Sequence, residues 1–316
     1  MFKYLNIINE PYKRIRDIDV HNIIDKNYDA YLEFIENKLR DIAYGKVDII
    51  MPPKTVFDDN GNGGDFRMMP CIFKNNDNNN NINKVVKSVK IVGTNVTNKV
   101  IKDQICVGKA FLIHPEDNFI THIFDACILS AVRTAACAII ASKLLKPDAN
   151  SILIVGSGRI GYYSCLFARH IGIKDIYVND INMEKAYELG KFLKVNASDK
   201  IINTDVLLIA TTSRTVVFNE ETDHGLVISL GADIDYQTEL GSSVSKRKIV
   251  VDVLDSTKFG DLKKWIEKDM INKKDIIEIF DIIRSQKNEK NNNILFVSTG
   301  TALFDNITME FIKDYF

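Results

Sequence analysis

Gly156-Ser157-Gly158-Arg159-Ile160-Gly161 follows the wholly apolar run Ile152-Leu153-Ile154-Val155, a spacing suited to holding the pyrophosphate of a dinucleotide. Gly156 permits a tight turn, Gly158 lets backbone N–H groups approach the phosphates, and Gly161 allows helix and strand to pack closely. A helix opening at Arg159-Ile160 adds the positive end of its dipole. Asp180 closes the next apolar run, Ile176-Tyr177-Val178. A carboxylate there accepts from ribose hydroxyls and repels a 2′-phosphate, which favours NAD over NADP. The alternative is that Asp180 only caps the helix that starts near Ile181. Thr211-Thr212-Ser213 ends the apolar run Val206 to Ala210, where small hydroxyl residues either line a cofactor crevice or form a simple turn.

Charged side chains in apolar company are the other candidates. Arg133 sits inside the apolar stretch Leu129 to Ala136, where an unpaired guanidinium is costly, so it should meet an anion. That anion is a ligand, or else a protein carboxylate in a buried ion pair. Lys90 lies in the strand-like segment Val85 to Val92, with Lys87 as its rival. Asp233 follows the apolar run Leu226 to Leu230 and Gly231-Ala232. A carboxylate at that place, beside a nicotinamide, can take a proton from an ammonium, activate water against an iminium, or protonate a departing amine. Otherwise it is a turn aspartate.

The elements that must position these residues follow from periodicity. From Ser151 onward short apolar runs alternate with helical segments at 160–171 and 182–194. The runs are 152–155, 176–178, 206–210, 226–230, 248–253 and 294–297, and the alternation predicts a doubly wound α/β domain. Only about ten residues separate Leu193 from the run at Val206, so a strand or helix usual in such a domain is expected to be missing or trimmed. Upstream, apolar residues from Val20 to Ile42 keep helical spacing over 18–46, with Asp19 and Gly45 as start and stop signals. A loop at Met51 to Thr55 and a Gly/Asn turn cluster at 58–65 come next. The low-complexity tract Asn75 to Asn81 reads as an excursion between strands. Strands are expected at Val85 to Val92, Ile105 to Ile113 and Phe119 to Phe124, then a long helix to about Lys146.

At 316 residues the chain is long enough for roughly two domains. Its 41 basic against 42 acidic side chains give no long-range pull toward nucleic acid. The N-terminus lacks the apolar core and cleavage site of a signal peptide. No run approaches the roughly 20 apolar residues of a membrane span, since the longest, Ile123 to Ile140, is broken by Asp125, Ser130 and Arg133. Five scattered cysteines without metal-ligand spacing fit reduced thiols in a cytoplasm.

Taken together, several segments give a more specific resemblance. They are Pro53-Lys54-Thr55, Gly64 to Pro70, Val89 to Val92, Leu129 to Ala136, Val155 to Gly158, Gly231-Ala232-Asp233 with Thr238-Glu239-Leu240, and Ser298 to Asp305. In this order they resemble the ornithine cyclodeaminase/mu-crystallin family of NAD(P)-dependent enzymes, over roughly residues 50 to 310. The resemblance implies redox chemistry at the Cα–N bond of an amino or imino acid. It also implies a Rossmann domain (129–298) and an α+β substrate and dimerisation domain (1–128, completed by 299–316), usually in a homodimer. It assigns Lys54, Arg67, Lys90 and Arg133 to substrate carboxylates, Lys90 also to catalysis, Asp233 to proton handling, and Ser298 and Arg133 to the cofactor side.

Arg67 bears on the branch within the family. Ornithine cyclodeaminases hold a glutamate at the matching place for the substrate's distal amine, whereas Gly64-Asp65-Phe66-Arg67-Met68-Met69-Pro70 resembles the alanine dehydrogenase-like branch. Arg67 therefore argues against ornithine and lysine, and for a short side chain or a second carboxylate, unless it pairs with Asp65 or Glu239. Three departures from the family stand out. They are Gly93 to Asn98 in place of a His-Pro or Ser-Phe-Pro loop, Gln237 in place of a lysine, and the Asn-rich insertion. The leading expectation is an NAD-dependent amino acid dehydrogenase or imine reductase. Redox-neutral cyclodeamination and non-catalytic NAD(H)-dependent ligand binding are the alternatives.

Overall fold

A computed structural model describes residues 10–58, 64–76, 85–95, 99–102, 104–232, 237–285 and 293–316. The N-terminal part runs β1 (Lys13–Ile15), α1 (Asp17–Ala43), β2 (Val47–Ile50), β3 (Thr55–Asp58), β4 (Asp65–Asn75), β5 (Val85–Thr94), β6 (Cys106–Ile113) and β7 (Ile120–Asp125). These strands form one mixed sheet in the order β1-β7-β6-β5-β4-β2, with β3 also paired to β4. Alternation puts Met69, Cys71, Phe73, Val86, Lys90, Ala110 and Leu112 on the buried face. The opposite face shows Phe57, Phe66, Met68 and Ile91 to solvent.

The long helix expected after Asp125 is α2 (Ala126–Leu145). By length and composition it could cross a membrane, contrary to the reading of its charged interruptions. Nearly all of its side chains are instead buried between α1, α3 and the C-terminal helix, as a core helix's are.

The C-terminal part runs β8 (Ser151–Val155), α3 (Arg159–His170), β9 (Asp175–Asn179), α4 (Met183–Leu193), β10 (Asn196–Ala197), β11 (Val206–Ile209) and β12 (Leu226–Ser229). It continues with β13 (Lys248–Val251), α5 (Gly260–Glu267), β14 (Ile277–Glu278), α6 (Ile279–Ser285), β15 (Ile294–Val297) and α7 (Ala302–Lys313). All eight strands are parallel, in the order β10-β9-β8-β11-β12-β15-β13-β14. Strands β8, β11, β12 and β15 are almost wholly buried, which is why they read as continuous apolar runs. The expected trimming is present: β10 has two residues, and the crossover from β11 to β12 carries no helix. The chain then returns, because α7 packs on β4, β5 and α1 of the first sheet.

Candidate active site

The glycine turn is built as its spacing requires. Gly156 has φ of +112°, and a Cβ there would stand 2.4 Å from the Ala210 carbonyl oxygen. A Cβ on Gly161 would stand 2.1 Å from the Gly156 carbonyl oxygen, so α3 could not lie this close to β8 with any side chain there. Gly158 opens α3, no side chain caps it, and nothing lies within 4 Å of the place where its Cβ would be. The positive end of the helix is thus left for an anion, and this cradle fits the pyrophosphate of a dinucleotide.

Asp180 accepts from the backbone N–H of Ser157 at 2.7 Å and of Asn182 at 2.9 Å. It ties the end of β9 to the glycine turn, while the cap of α4 is the Asn182 side chain, which accepts from Glu184 N–H. Ser213 forms a local turn, donating to the Thr215 carbonyl at 2.7 Å.

A cavity of about 260 Å³ lies where the two sheets meet. Lys54, Arg67, Lys90 and Arg133 line it together with Gly158, Arg159, Ile160, Thr211, Thr212 and Ser298. The four cations come from the loop before β3, from β4, from β5 and from α2, so the fold gathers them from distant parts of the chain. Gly156, Gly161, Asp180 and Ser213 are not among the cavity's described lining residues. Asp233 lies outside the described residues, as do Asp77–Asn81 of the Asn-rich tract and Val96–Asn98 of the altered loop.

Each cation is held. Lys54 donates to the Thr299 carbonyl at 2.6 Å and stands 3.9 Å over the Phe259 ring. Arg67 pairs with Asp65 at 2.5 Å, and Asp65 also accepts from Thr94 Oγ1 at 2.6 Å. Burial pushes the Asp65 carboxyl up, but Arg67 and Thr94 outweigh it and hold it below the usual range. The pairing with Asp65 largely cancels the charge that Arg67 brings to the wall, although Arg67 still lines the cavity.

Lys90 meets Asp305 at 2.6 Å and Arg133 meets the same carboxylate at 3.0 Å. Lys87, three residues from Lys90, points to the other face and donates to Asn118, so Lys90 is the inward lysine. Burial pulls the Lys90 ammonium below its ordinary value, and Asp305 opposes that pull. The rest of the wall includes Met69, Val92, Ile105, Cys106, Cys127 and Leu230, and no aspartate or glutamate is among the described lining residues.

Three buried carboxylates escaped the sequence reading as site residues. Glu239 accepts from Thr211 N–H and Oγ1, from Ser229 Oγ and from Gly231 N–H, joining the carboxyl ends of β11 and β12. Burial raises its carboxyl to about 7. Asp252 accepts from Ser298 and Ser256 hydroxyls, both at 2.6 Å. Asp305 was legible in one respect: it is an acid flanked by apolar residues in the first turn of α7, as Arg133 is a base within the apolar stretch Leu129 to Ala136.

An all-parallel sheet with this glycine turn, meeting a mixed sheet across a cation-lined cavity, is the build of a two-sheet dinucleotide-dependent enzyme. The chain belongs to the ornithine cyclodeaminase/mu-crystallin family, whose model matches residues 13–316. It is 26% identical over 250 residues to a Delta(1)-pyrroline-2-carboxylate reductase of Bacillus thuringiensis subsp. konkukian (strain 97-27), covering 72% of this chain and 76% of that relative. Among solved structures, the Delta(1)-pyrroline-2-carboxylate reductase of Thermococcus litoralis, in complex with NADH and L-proline, superposes with a TM-score of 0.83. The two are 23% identical, and 96% of each chain is covered. An archaeal alanine dehydrogenase dimer with bound NAD gives a TM-score of 0.81 at 23% identity, covering 96% of this chain and 95% of that one.

Proposed function

We propose that the protein is an NAD-dependent imine reductase that converts a small cyclic imino acid of the Δ1-pyrroline-2-carboxylate type to the amino acid. The observation that carries this reading is that Lys54, Arg67, Lys90 and Arg133 line the same cavity of about 260 Å³ as Gly158 and Arg159 at the open end of α3. Residues 129–298 hold the dinucleotide, and residues 1–128 with 299–316, joined by Arg133 of α2, hold the substrate. Bound NADH supplies the hydride equivalent that reduces the C=N bond.

The chain's own residues do the rest. Lys90 and Arg133 receive the substrate carboxylate, and Lys54 adds a third positive charge on the same side. The apolar wall excludes water and takes the ring. Asp233 hands the proton that balances the reduction to the substrate nitrogen. Gly158 and the first turn of α3 hold the pyrophosphate, Thr211, Thr212 and Ser298 line its path, and Asp180 sets the preference for NAD over NADP. Arg67 is already neutralised by Asp65, so a neutral substrate side chain fits better than a second carboxylate. With no described carboxylate on the wall to receive a distal ammonium, ornithine and lysine fit poorly.

The protein works as a homodimer joined through the outer face of the first sheet, where Phe57 and Phe66 stack at 4.7 Å beside Met68 and Ile91. The archaeal neighbour described as a dimer supports that assembly. The five free cysteines of this chain fit the reducing cytoplasm. The functional reading is tested by NADH absorbance with Δ1-pyrroline-2-carboxylate, alanine plus NAD, and ornithine. Imine-dependent NADH loss, weaker with NADPH, is expected. Inertness toward every imino acid offered would refute it.

A further inference from the structure

We infer that Asp305 is a positioning residue for substrate binding: it bridges Lys90 and Arg133 and presents them as a pair carrying one net positive charge. The inference rests on the reading of those two cations as the carboxylate site.

Three separate elements converge on this carboxylate. Lys90 comes from β5, Arg133 from α2, and Asp305 from the first turn of α7, whose start is fixed by Thr301 Oγ1 accepting from Leu303 N–H at 3.0 Å. The side chains of Lys90 and Asp305 are each 1% exposed, and that of Arg133 is 10% exposed. Asp305 is absent from the described cavity wall, while both of its partners are on it. It therefore stands behind the pair and acts through it.

The contacts to Asp305 are close in distance but are not aligned as hydrogen bonds. Charge therefore holds the cluster, with Lys90 Nζ also reaching Ser130 Oγ at 3.5 Å. Two cations sharing one buried carboxylate call for one more anion, and a substrate carboxylate on the cavity side supplies it. Lys90 depends most on this arrangement. Burial favours its neutral form, and Asp305 is the first of the influences that keep it charged. Removing the Asp305 charge lets Lys90 lose its proton at lower pH, and half of the carboxylate site then titrates away.

The test uses the full-length protein and a planar carboxylate that cannot be reduced, pyrrole-2-carboxylate, in the presence of NADH. Binding is followed by calorimetry across pH, and NADH affinity is measured separately by fluorescence. Asp305→Asn should weaken binding of the probe at least tenfold and move its alkaline loss of binding to lower pH, with NADH affinity within threefold of wild type. Asp305→Glu, which keeps the charge one methylene further out, should restore the alkaline limb and part of the affinity. If Asp305→Asn does not fold, Asp305→Glu still decides, through a several-fold weaker affinity with the wild-type pH profile. Unchanged affinity and pH profile in whichever variant folds would overturn the inference, and so would failure of the wild-type protein to bind the probe. An inactive enzyme that binds the probe in an Asp305-dependent way would refute the reductase reading alone.

Discussion

An unpaired buried charge costs about 3–5 kcal/mol, so Arg133 had to find an anion inside an apolar helix. That much was legible from its neighbours, and the structure supplies the partner that spacing alone could not name. Asp305 lies far away in sequence, and only the return of α7 to the first sheet brings the two together. The inward direction of Lys90 was not legible from alternation along β5, which left Lys87 as a rival; the family resemblance favoured Lys90, and Lys90 is the buried one. Glu239 was not legible either, because a carboxylate satisfied by four donors from two strand ends leaves no local pattern. Its environment makes a prediction. Burial raises the Glu239 carboxyl to about 7 from an ordinary 4.5, so the folded state holds its proton more tightly than the unfolded chain. This contribution to stability is present in full below the unfolded value and is lost as pH rises through the folded one. Thermal midpoints of the wild-type protein should fall between about pH 5 and 7, and Glu239→Gln should remove that slope. At Asp233, conversion to Asn should lower turnover by about 10²- to 10⁴-fold with NADH affinity nearly unchanged. Turnover within about threefold of wild type would reduce Asp233 to a turn residue.

At the scale of elements, the parallel strands were plain because strands covered on both faces read as unbroken apolar runs. The strands β3 and β4 were not foreseen. The inward face of β4 carries Asp65 and Arg67 beside Met69, Cys71 and Phe73, so its alternation of apolar and polar residues is broken by the pair that faces the site. The helix α2 shows the opposite difficulty. Its sequence is apolar enough for a bilayer, and only the packing of helices on several sides explains that composition. The glycine turn was the most legible element, since strand, turn and helix each constrain the other two. Its prediction is steric. Gly156→Ala places a methyl 2.4 Å from the Ala210 carbonyl oxygen on a backbone of φ +112°, so the turn must move. NADH affinity measured by fluorescence should drop at least tenfold and the thermal midpoint should fall. Gly158→Ala, with open space at its Cβ, should fold normally and weaken NADH binding only by crowding the phosphates.

At the scale of the molecule, two sheets meet at the cavity. The parallel sheet offers a helix terminus, the mixed sheet offers cations, and α2 and α7 lock the two across the cavity. Among the described residues, the outer face of the mixed sheet keeps Phe57, Phe66, Met68 and Ile91 exposed. A patch of that kind marks an interface. If the proposed homodimer forms through this face, the wild-type protein should have a dimer's mass in light scattering and Phe66→Glu a monomer's; an equal mass for both would contradict the proposed interface. Isotope transfer reads directly which bond is reduced. Δ1-Pyrroline-2-carboxylate should be incubated with NADH deuterated at the transferable position, and the product analysed by mass spectrometry. An imine reductase gives proline with a single deuterium at Cα and equal amounts of NADH consumed and proline formed. Formation of proline from ornithine with no net change in NADH, together with no reaction of the imine, would contradict the reductase reading.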